Sequence, residues 1–162
     1  MLSLQESVAI FNQENNQQEA GYKARRRAMR QFRQAYAKGL RRRFWTSLTG
    51  HPNHLRDLDE LANAIPKAGH SLGRMSVTID RIQGSEGRSL DFDAAFYPTS
   101  LHNEERWIGV ASAQQLDVNL PPVELIQAGD IYYVRDGHHR ISVARLLGQK
   151  EIEANVTAWE ID

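Results

Sequence analysis

The amino-acid sequence predicts an α+β domain, a small mixed sheet with helices, that follows a basic helical extension. Apolar residues recur every three or four positions before residue 50, whereas short alternating apolar runs between glycines and prolines dominate after residue 74. The charge changes at the same place: 1–74 hold 13 Lys and Arg against 6 Asp and Glu, and 75–162 hold 7 against 14. We therefore predict an extension and linker over 1–74 and a folded domain over 75–162.

The extension begins with a Gln- and Asn-rich stretch, 1–20, where we expect a short helix or a frayed lead-in. Helical spacing predicts one helix from about 22 to 48, and Gly39 could bend it because glycine weakens a helix by about 1 kcal/mol relative to alanine. Its expected apolar stripe is Met29, Phe32, Tyr36, Leu40 and Phe44. A second short helix is expected over 55–65, ended by Pro66, and a flexible joint at Gly69, Ser71 and Gly73.

The elements of the domain follow from local patterns of apolar and turn-forming residues. Pro121 and Pro122 end a helical segment, Gly129 and Asp130 suit the turn of a hairpin, and Gly148 suits the end of a helix. In order, we expect a strand over 76–82, a loop with a short helical turn over 83–97, a helix over 101–116, a hairpin of strands 123–127 and 131–135, a helix over 138–147 and a strand over 152–156.

Composition excludes several classes of protein. With 41% hydrophobic and 25% charged residues, the 162-residue chain has the composition of one globular domain, and it lacks the apolar run of a membrane span. It contains no cysteine, which excludes disulfides, cysteine-ligated zinc, iron–sulfur clusters and thiol catalysis. No signal-peptide pattern is present at the N-terminus, so we expect a cytoplasmic protein.

The most informative segment is Asp136-Gly137-His138-His139-Arg140, where a predicted strand passes through glycine into a helix. The start of a helix offers free backbone N–H groups and the positive end of the helix dipole. Two imidazoles and a guanidinium beside them favour an anion, most naturally a phosphate. Asp136 could orient an imidazole, hold Mg²⁺ or cap the helix. The alternative is an ordinary solvated start of a helix.

This segment, with the strand from Ile131 before it and Val143-Ala144-Arg145 after it, resembles the ParB/sulfiredoxin-like superfamily. The resemblance spans about 75–160 and implies that superfamily's small mixed sheet with helices. It also implies a phosphate clamp formed by Gly137, His138, His139 and Arg140. ParB-type clamps hold CTP, and sulfiredoxins and related free serine kinases hold ATP or another adenine nucleotide. We therefore expect a nucleoside triphosphate, CTP or ATP, bound with Mg²⁺.

The sequence also departs from this superfamily. Sulfiredoxins need a cysteine where this chain has His138, so reduction of sulfinic acids is excluded. The sequence ends 22 residues after Arg140, and we expect neither the second phosphate motif nor the helix-turn-helix domain of ParB partition proteins.

Resemblance to the free serine kinases gives an alternative, a small-molecule kinase or a nucleotide hydrolase. Glu86, in Gly84-Ser85-Glu86-Gly87-Arg88, would then be the catalytic base, Asp136 a second catalytic residue and Arg88 a second phosphate contact. The alternative for both Glu86 and Arg88 is an exposed, solvated loop residue. A nuclease ranks last, because no cluster of carboxylates suits two metal ions. For Arg145, five residues after Arg140, we expect a structural salt bridge.

The basic helix has three interpretations. It could lie along DNA or RNA, on an anionic membrane surface, or against the acidic body of this chain or of a second copy in a homodimer. Residues 23–43 hold ten Lys and Arg, and no acidic residue lies between Glu19 and Asp57. The residues predicted to contact nucleic acid are Arg25, Arg26, Arg30, Arg33, Arg41, Arg42 and Arg43.

Overall fold

A computed structural model describes residues 3–62 and 69–159, which form four α-helices and six β-strands. Two 3-10 turns, Ile79–Arg81 and Leu101–Asn103, precede β3 and α3. The elements in chain order are α1 (Leu4–Thr49), β1 (Arg56–Asp57), α2 (Leu58–Ala62), β2 (Gly69–Thr78), β3 (Ile82–Ser85), α3 (Glu104–Gln115), β4 (Val123–Ala128), β5 (Ile131–Asp136), α4 (His138–Leu146) and β6 (Glu151–Trp159).

The six strands form one mixed sheet in the order β1-β3-β5-β4-β6-β2. Strands β1, β3 and β5 run parallel to one another, β4 pairs antiparallel with β5 and parallel with β6, and β2 pairs antiparallel with β6. The predicted α+β class, with a small mixed sheet and a long N-terminal helix, is confirmed.

Helix α1 is one continuous helix of 46 residues, so the expectation of a separate or frayed segment over 1–20 is wrong for the described positions from residue 3 on. Ser3 caps its start in a reciprocal capping box with Glu6, and Gly50, at φ +70°, ends it. The helix does not break at Gly39. A Cβ at that position would lie 2.9 Å from the carbonyl oxygen of Pro98, so glycine allows α1 to approach the body closely.

The residues that dock α1 on the body differ from the predicted stripe. Of the five predicted residues only Phe32 is fully buried, and its ring meets Trp107 of α3 edge-to-face with centroids 5.7 Å apart. The other buried positions carry small residues, because the backbones of α1 and α3 lie close together. The docked face is Ala24, Ala28, Phe32, Ala35 and Gly39.

The segment between α1 and β3 departs most from the predictions. The expected helix over 55–65 is instead β1 followed by α2, which ends at Ala62, and Ile65 and Pro66 lie outside the described residues. The expected joint at Gly69, Ser71 and Gly73 is the first half of β2, and the strand expected over 76–82 stops at Thr78. The boundary near Arg74 falls inside β2. The division into an extension and a domain stays a prediction.

The two faces of the sheet pack against different layers. Leu125 and Val134 face Ile141 of α4 in the larger cluster of buried residues, whereas their neighbours Ile126 and Tyr133 pack with Leu58 on the other face. Helix α3 lies between α4 and α1. The predicted hairpin and the helix at 138 are confirmed, and β3 runs from Ile82, the last residue of the expected strand, to Ser85 in the expected loop over 83–97.

Candidate anion-binding site

The predicted clamp lies at the carboxyl ends of the parallel strands β3 and β5, which pair through Ser85 and Val134. Loops after parallel strands meet at one edge of a sheet, a common place for ligands in α/β proteins. Gly137 turns the chain from β5 into α4 at φ +102°, and a Cβ there would lie 2.5 Å from Val123 Cγ1. Both constraints require glycine, so the conformation that exposes the start of α4 is encoded at this position.

A cavity of about 170 Å³ opens at the start of α4. Its walls combine guanidinium groups and imidazoles with the backbone of the turn. The first-turn N–H groups of an α-helix have no partner within the helix, and those of α4 add positive potential here. The lining residues are Arg88, Arg106, Val110, Arg135, Asp136, Gly137, His138, His139 and Arg140.

His138 is a buried, neutral member of this wall. Its Nε2 lies 2.7 Å from Oγ of Ser85, and its ring stacks on Phe92 with centroids 6.0 Å apart. Burial, followed by the nearby charge of Arg88, lowers the pKa of His138 to about 4. His138 therefore acts at neutral pH as an uncharged hydrogen-bonding group.

His139 is neutral for similar reasons. Burial, followed by the positive charges of Arg88 and Arg106, lowers its pKa to about 4. Its Nε2 lies 3.4 Å from Oδ1 of Asn103, at the end of the 3-10 turn before α3. This neighbourhood is electropositive enough to disfavour imidazolium.

Arg140 is less available than the sequence suggests. Its Nη1 donates to the carbonyl oxygens of Pro121 and Pro122, the latter at 2.8 Å, and its Nη2 donates to Asp136 Oδ2 at 2.6 Å. These contacts use three of the five guanidinium N–H groups, and 13% of the side chain stays exposed. Arg140 thus ties the turn to the start of β4 and has few donors left for a ligand.

Arg88 and Arg106 are the available cations. Both are exposed, and their side chains make no ion pair or hydrogen bond within residues 3–62 and 69–159. Arg106 belongs to α3 and was not among the predicted residues, because its proximity to His139 depends on how α3 packs beside α4. Only the anion-friendly chemistry of Arg106 itself could have drawn attention to it.

The two predicted catalytic carboxylates are both engaged by arginines. Glu86 accepts from Nε of Arg135 at 2.8 Å, and Asp136 accepts from Arg140. Asp136 lines the cavity with 72% of its side chain exposed. Across the described part of the chain, no group of three His, Asp or Glu side chains could hold a metal ion. Asp136 alone could contribute one ligand to a Mg²⁺ ion that arrives with phosphates.

Arg145 holds the backbone, as its position on the far side of α4 predicted. Its Nη2 donates to the carbonyl oxygens of Ile79 and Ile82 at 2.8 and 3.0 Å, and its ion-pair contact with Asp80 is long, at 4.0 Å. The expected structural role therefore depends more on carbonyl oxygens than on a salt bridge.

A second cavity of about 230 Å³ adjoins the first and shares Val110 and Arg140 with it. Its lining is more apolar, with amide groups at the margin. The residues that it adds are Gln114, Val118, Asn119, Leu120, Pro121, Val123, Gln149, Ile152 and Glu153. A ligand with an anionic end and a less polar end could occupy both spaces.

The arginines of α1 divide into two groups. Arg25 pairs with Glu105 of α3 at 2.9 Å, and Arg42 donates to Asp93 at 3.1 Å, so both face the body. Asp93 is buried, which raises its pKa, and Oδ1 of Asp93 accepts from the N–H groups of Ala95 and Tyr97. Among the other predicted contacts, Arg26 lies over the ring of Tyr22, and Arg30, Arg33, Arg41 and Arg43 form no ion pair with any described residue.

Comparisons with known proteins add little beyond the fold. No protein-family model matches the chain, and no curated protein matches it. Among solved structures, it is similar to sulfiredoxin from Arabidopsis thaliana at a TM-score of 0.36 and 17% sequence identity. The match covers 51% of this chain and 82% of that one. A likeness this distant carries no functional argument. Within the described residues no helix is long and apolar enough to cross a membrane.

Proposed function

We propose that this protein binds a nucleoside triphosphate, CTP or ATP, with its phosphates at the start of α4. The observation that supports this most directly is the pair of guanidinium groups of Arg88 and Arg106, which line the cavity at the first turn of α4 and are unpaired among the described residues. His138 and His139 are neutral at this site and can donate hydrogen bonds without competing as cations. Guanidinium groups, helix N–H groups and imidazoles are the donors that phosphate oxygens favour.

The adjoining cavity supports a nucleoside rather than a free phosphate as the ligand. The wall formed by Val110 and Arg140 separates an arginine-lined space from a more apolar one that carries amide groups. Phosphates in the first space would leave the base and ribose to the second. In this proposal Asp136 contributes one ligand to Mg²⁺, which neutralises phosphate charge, and Gly137 provides the turn that exposes the donors.

The test is titration calorimetry of the full chain with ATP, CTP, GTP and ADP, each with Mg²⁺. Arg88→Ala and Arg106→Ala should each weaken binding about 10-fold to 100-fold, the loss expected for a charge-assisted hydrogen bond. Arg27→Ala removes the same charge from an exposed position on α1 and should leave the affinity unchanged. Absence of binding by every nucleotide, or equal affinity in all three variants, would overturn the proposal.

Arg140→Ala asks a separate question. Because Arg140 donates to Pro121, Pro122 and Asp136, its loss should lower stability as well as binding. A thermal melt of this variant must therefore accompany its titration. If Arg140→Ala binds nucleotide more weakly but keeps the wild-type melting temperature, Arg140 contacts the phosphates directly.

Turnover is the second candidate function, and the observation that favours it is the exposed Asp136 carboxylate on the cavity wall. We propose a phosphotransferase or nucleotide hydrolase as this alternative, with Glu86 or Asp136 as the base. Phosphate release from the bound nucleotide should then fall at least about 100-fold in Glu86→Gln with little change in affinity, whereas Asp136→Asn, which also removes the proposed Mg²⁺ ligand, should lower both phosphate release and affinity. Binding without phosphate release or transfer would leave a binding protein.

The remaining predictions concern partners and location. Contact between the arginines of α1 and nucleic acid, a homodimer and a cytoplasmic location stay predictions.

A further inference from the structure

The last three turns of α1 carry an apolar face that nothing in the described structure covers. Leu40, Phe44 and Leu48 are 46%, 62% and 64% exposed. Their spacing of four residues places them within roughly 80° of arc on a helix with 3.6 residues per turn. The docked face, which ends at Gly39, points to the other side of α1. We call Leu40, Phe44 and Leu48 the outer face.

Cations flank the outer face. Arg41 and Arg43 lie on opposite sides of it by helical periodicity, and neither forms an ion pair with a described residue. Trp45, 63% exposed, lies beside Arg41 and meets the ring of Phe44 edge-to-face at 6.1 Å. An apolar sector bordered by arginines and an amphipathic aromatic ring is the arrangement of a helix that lies in the interface of an anionic membrane.

Charge complementarity indicates which kind of partner covers the outer face. In a symmetric dimer that pairs this end of α1 with itself, arginines would meet arginines, because the sequence has no Asp or Glu between Glu19 and Asp57. A nucleic acid backbone would pair with the arginines but would leave the aliphatic side chains of the outer face against water or phosphate. A bilayer that contains anionic lipids satisfies both groups, since acyl chains take the apolar sector and headgroups take the cations.

We propose that the outer face of α1 docks this protein on anionic lipid bilayers. Leu40, Phe44 and Leu48 enter the boundary between headgroups and acyl chains, and Arg41 and Arg43 remain at headgroup level. Docking of residues 24–39 on the body holds α1 helical before it meets the membrane. The protein therefore loses less conformational entropy on binding than a free peptide that must first become helical. This proposal is independent of the nucleotide site.

The experiment measures binding of the full chain to vesicles by co-sedimentation. Vesicles of phosphatidylcholine alone are compared with vesicles that contain phosphatidylserine. We expect binding to the anionic vesicles only, and weaker binding as salt rises. Phe44→Ser should lower the partition coefficient roughly 10-fold to 100-fold, the value of burying one such side chain.

Leu116→Ser is the matched control, because Leu116 is a 43% exposed leucine at the end of α3, away from the outer face. It should bind anionic vesicles as the wild type does. Phe44 is exposed, so Phe44→Ser should keep the wild-type melting temperature, which is checked first; Leu48→Ser provides a second variant of the same kind.

The same variants distinguish the other occupants. A duplex oligonucleotide bound by the wild type without vesicle binding would overturn the lipid proposal in favour of nucleic acid. A dimer in sedimentation that Phe44→Ser dissociates, again without vesicle binding, would assign the outer face to a second copy. Vesicle binding that is equal in Phe44→Ser, Leu48→Ser and the wild type would also overturn it.

Discussion

Phe32→Ala tests whether α1 is part of the folded body. Phe32 is 1% exposed and packs against Trp107 of α3, in the same buried cluster as Ala28 and Ala35. Truncating a buried phenylalanine to alanine costs about 3–5 kcal/mol, from lost transfer free energy and the cavity left behind. For a chain of 162 residues, each kcal/mol lowers the melting temperature by about 2–4 °C, so we expect a decrease of roughly 6–20 °C.

The assay is thermal and urea unfolding followed by circular dichroism, in which the 46 residues of α1 contribute most of the helical signal, and by near-ultraviolet absorption of the three tryptophans, of which Trp107 is fully buried. Phe44→Ala is the control, because Phe44 is 62% exposed on the same helix; its stability should change by no more than about 0.5 kcal/mol. Coincident transitions, both shifted by Phe32→Ala, would show that α1 and the body unfold together. An unchanged melting temperature in Phe32→Ala would refute the docking of α1.

Two further predictions concern the turn and the histidines of the site. Gly137→Ala should lower the free energy of unfolding, measured by urea titration, by about 2–4 kcal/mol, because the new Cβ meets Val123 and the residue must hold a φ of +102°. The control is Gly87→Ala, at φ +75° with open space around it, which should lower the same free energy by about 1–2 kcal/mol. The pKa values of His138 and His139 are about 4 in the folded state, against 6.5 for an exposed histidine, so the unfolded chain binds more protons between pH 4 and pH 6.5. Stability should therefore fall from about pH 6.5 towards pH 4, by up to about 3 kcal/mol for the buried His138, and urea midpoints that stay flat across this window would contradict the burial of both rings.

Sequence patterns predicted the parts of the fold that depend on neighbouring residues. The turn at Gly129 and Asp130 connects β4 and β5 as expected, and Gly137 separates β5 from α4, because local backbone conformation decides both. The same applies to the clamp itself, which is a run of consecutive residues. Its four residues are consequently found together at one edge of the sheet.

Features that depend on tertiary packing were missed. Gly69, Ser71 and Gly73 have the composition of a joint, yet the long antiparallel pairing with β6 makes them part of β2. The docked face of α1 is mostly alanine and glycine, which a search for large apolar residues overlooks. Arg106 belongs to the site only because α3 packs between α1 and α4, which no spacing within the sequence predicts.

The contact between Arg42 and Asp93 has a consequence for regulation. Asp93 organises its loop through the N–H groups of Ala95 and Tyr97, and its neighbour Phe92 stacks on His138 in the proposed nucleotide site. A single loop therefore contacts α1 through the hydrogen bond between Arg42 and Asp93 and contacts the histidine wall through the ring of Phe92. Thermodynamic linkage between two binding sites is reciprocal. If a partner bound to α1 changes the affinity of the protein for nucleotide by some factor, bound nucleotide must change its affinity for that partner by the same factor.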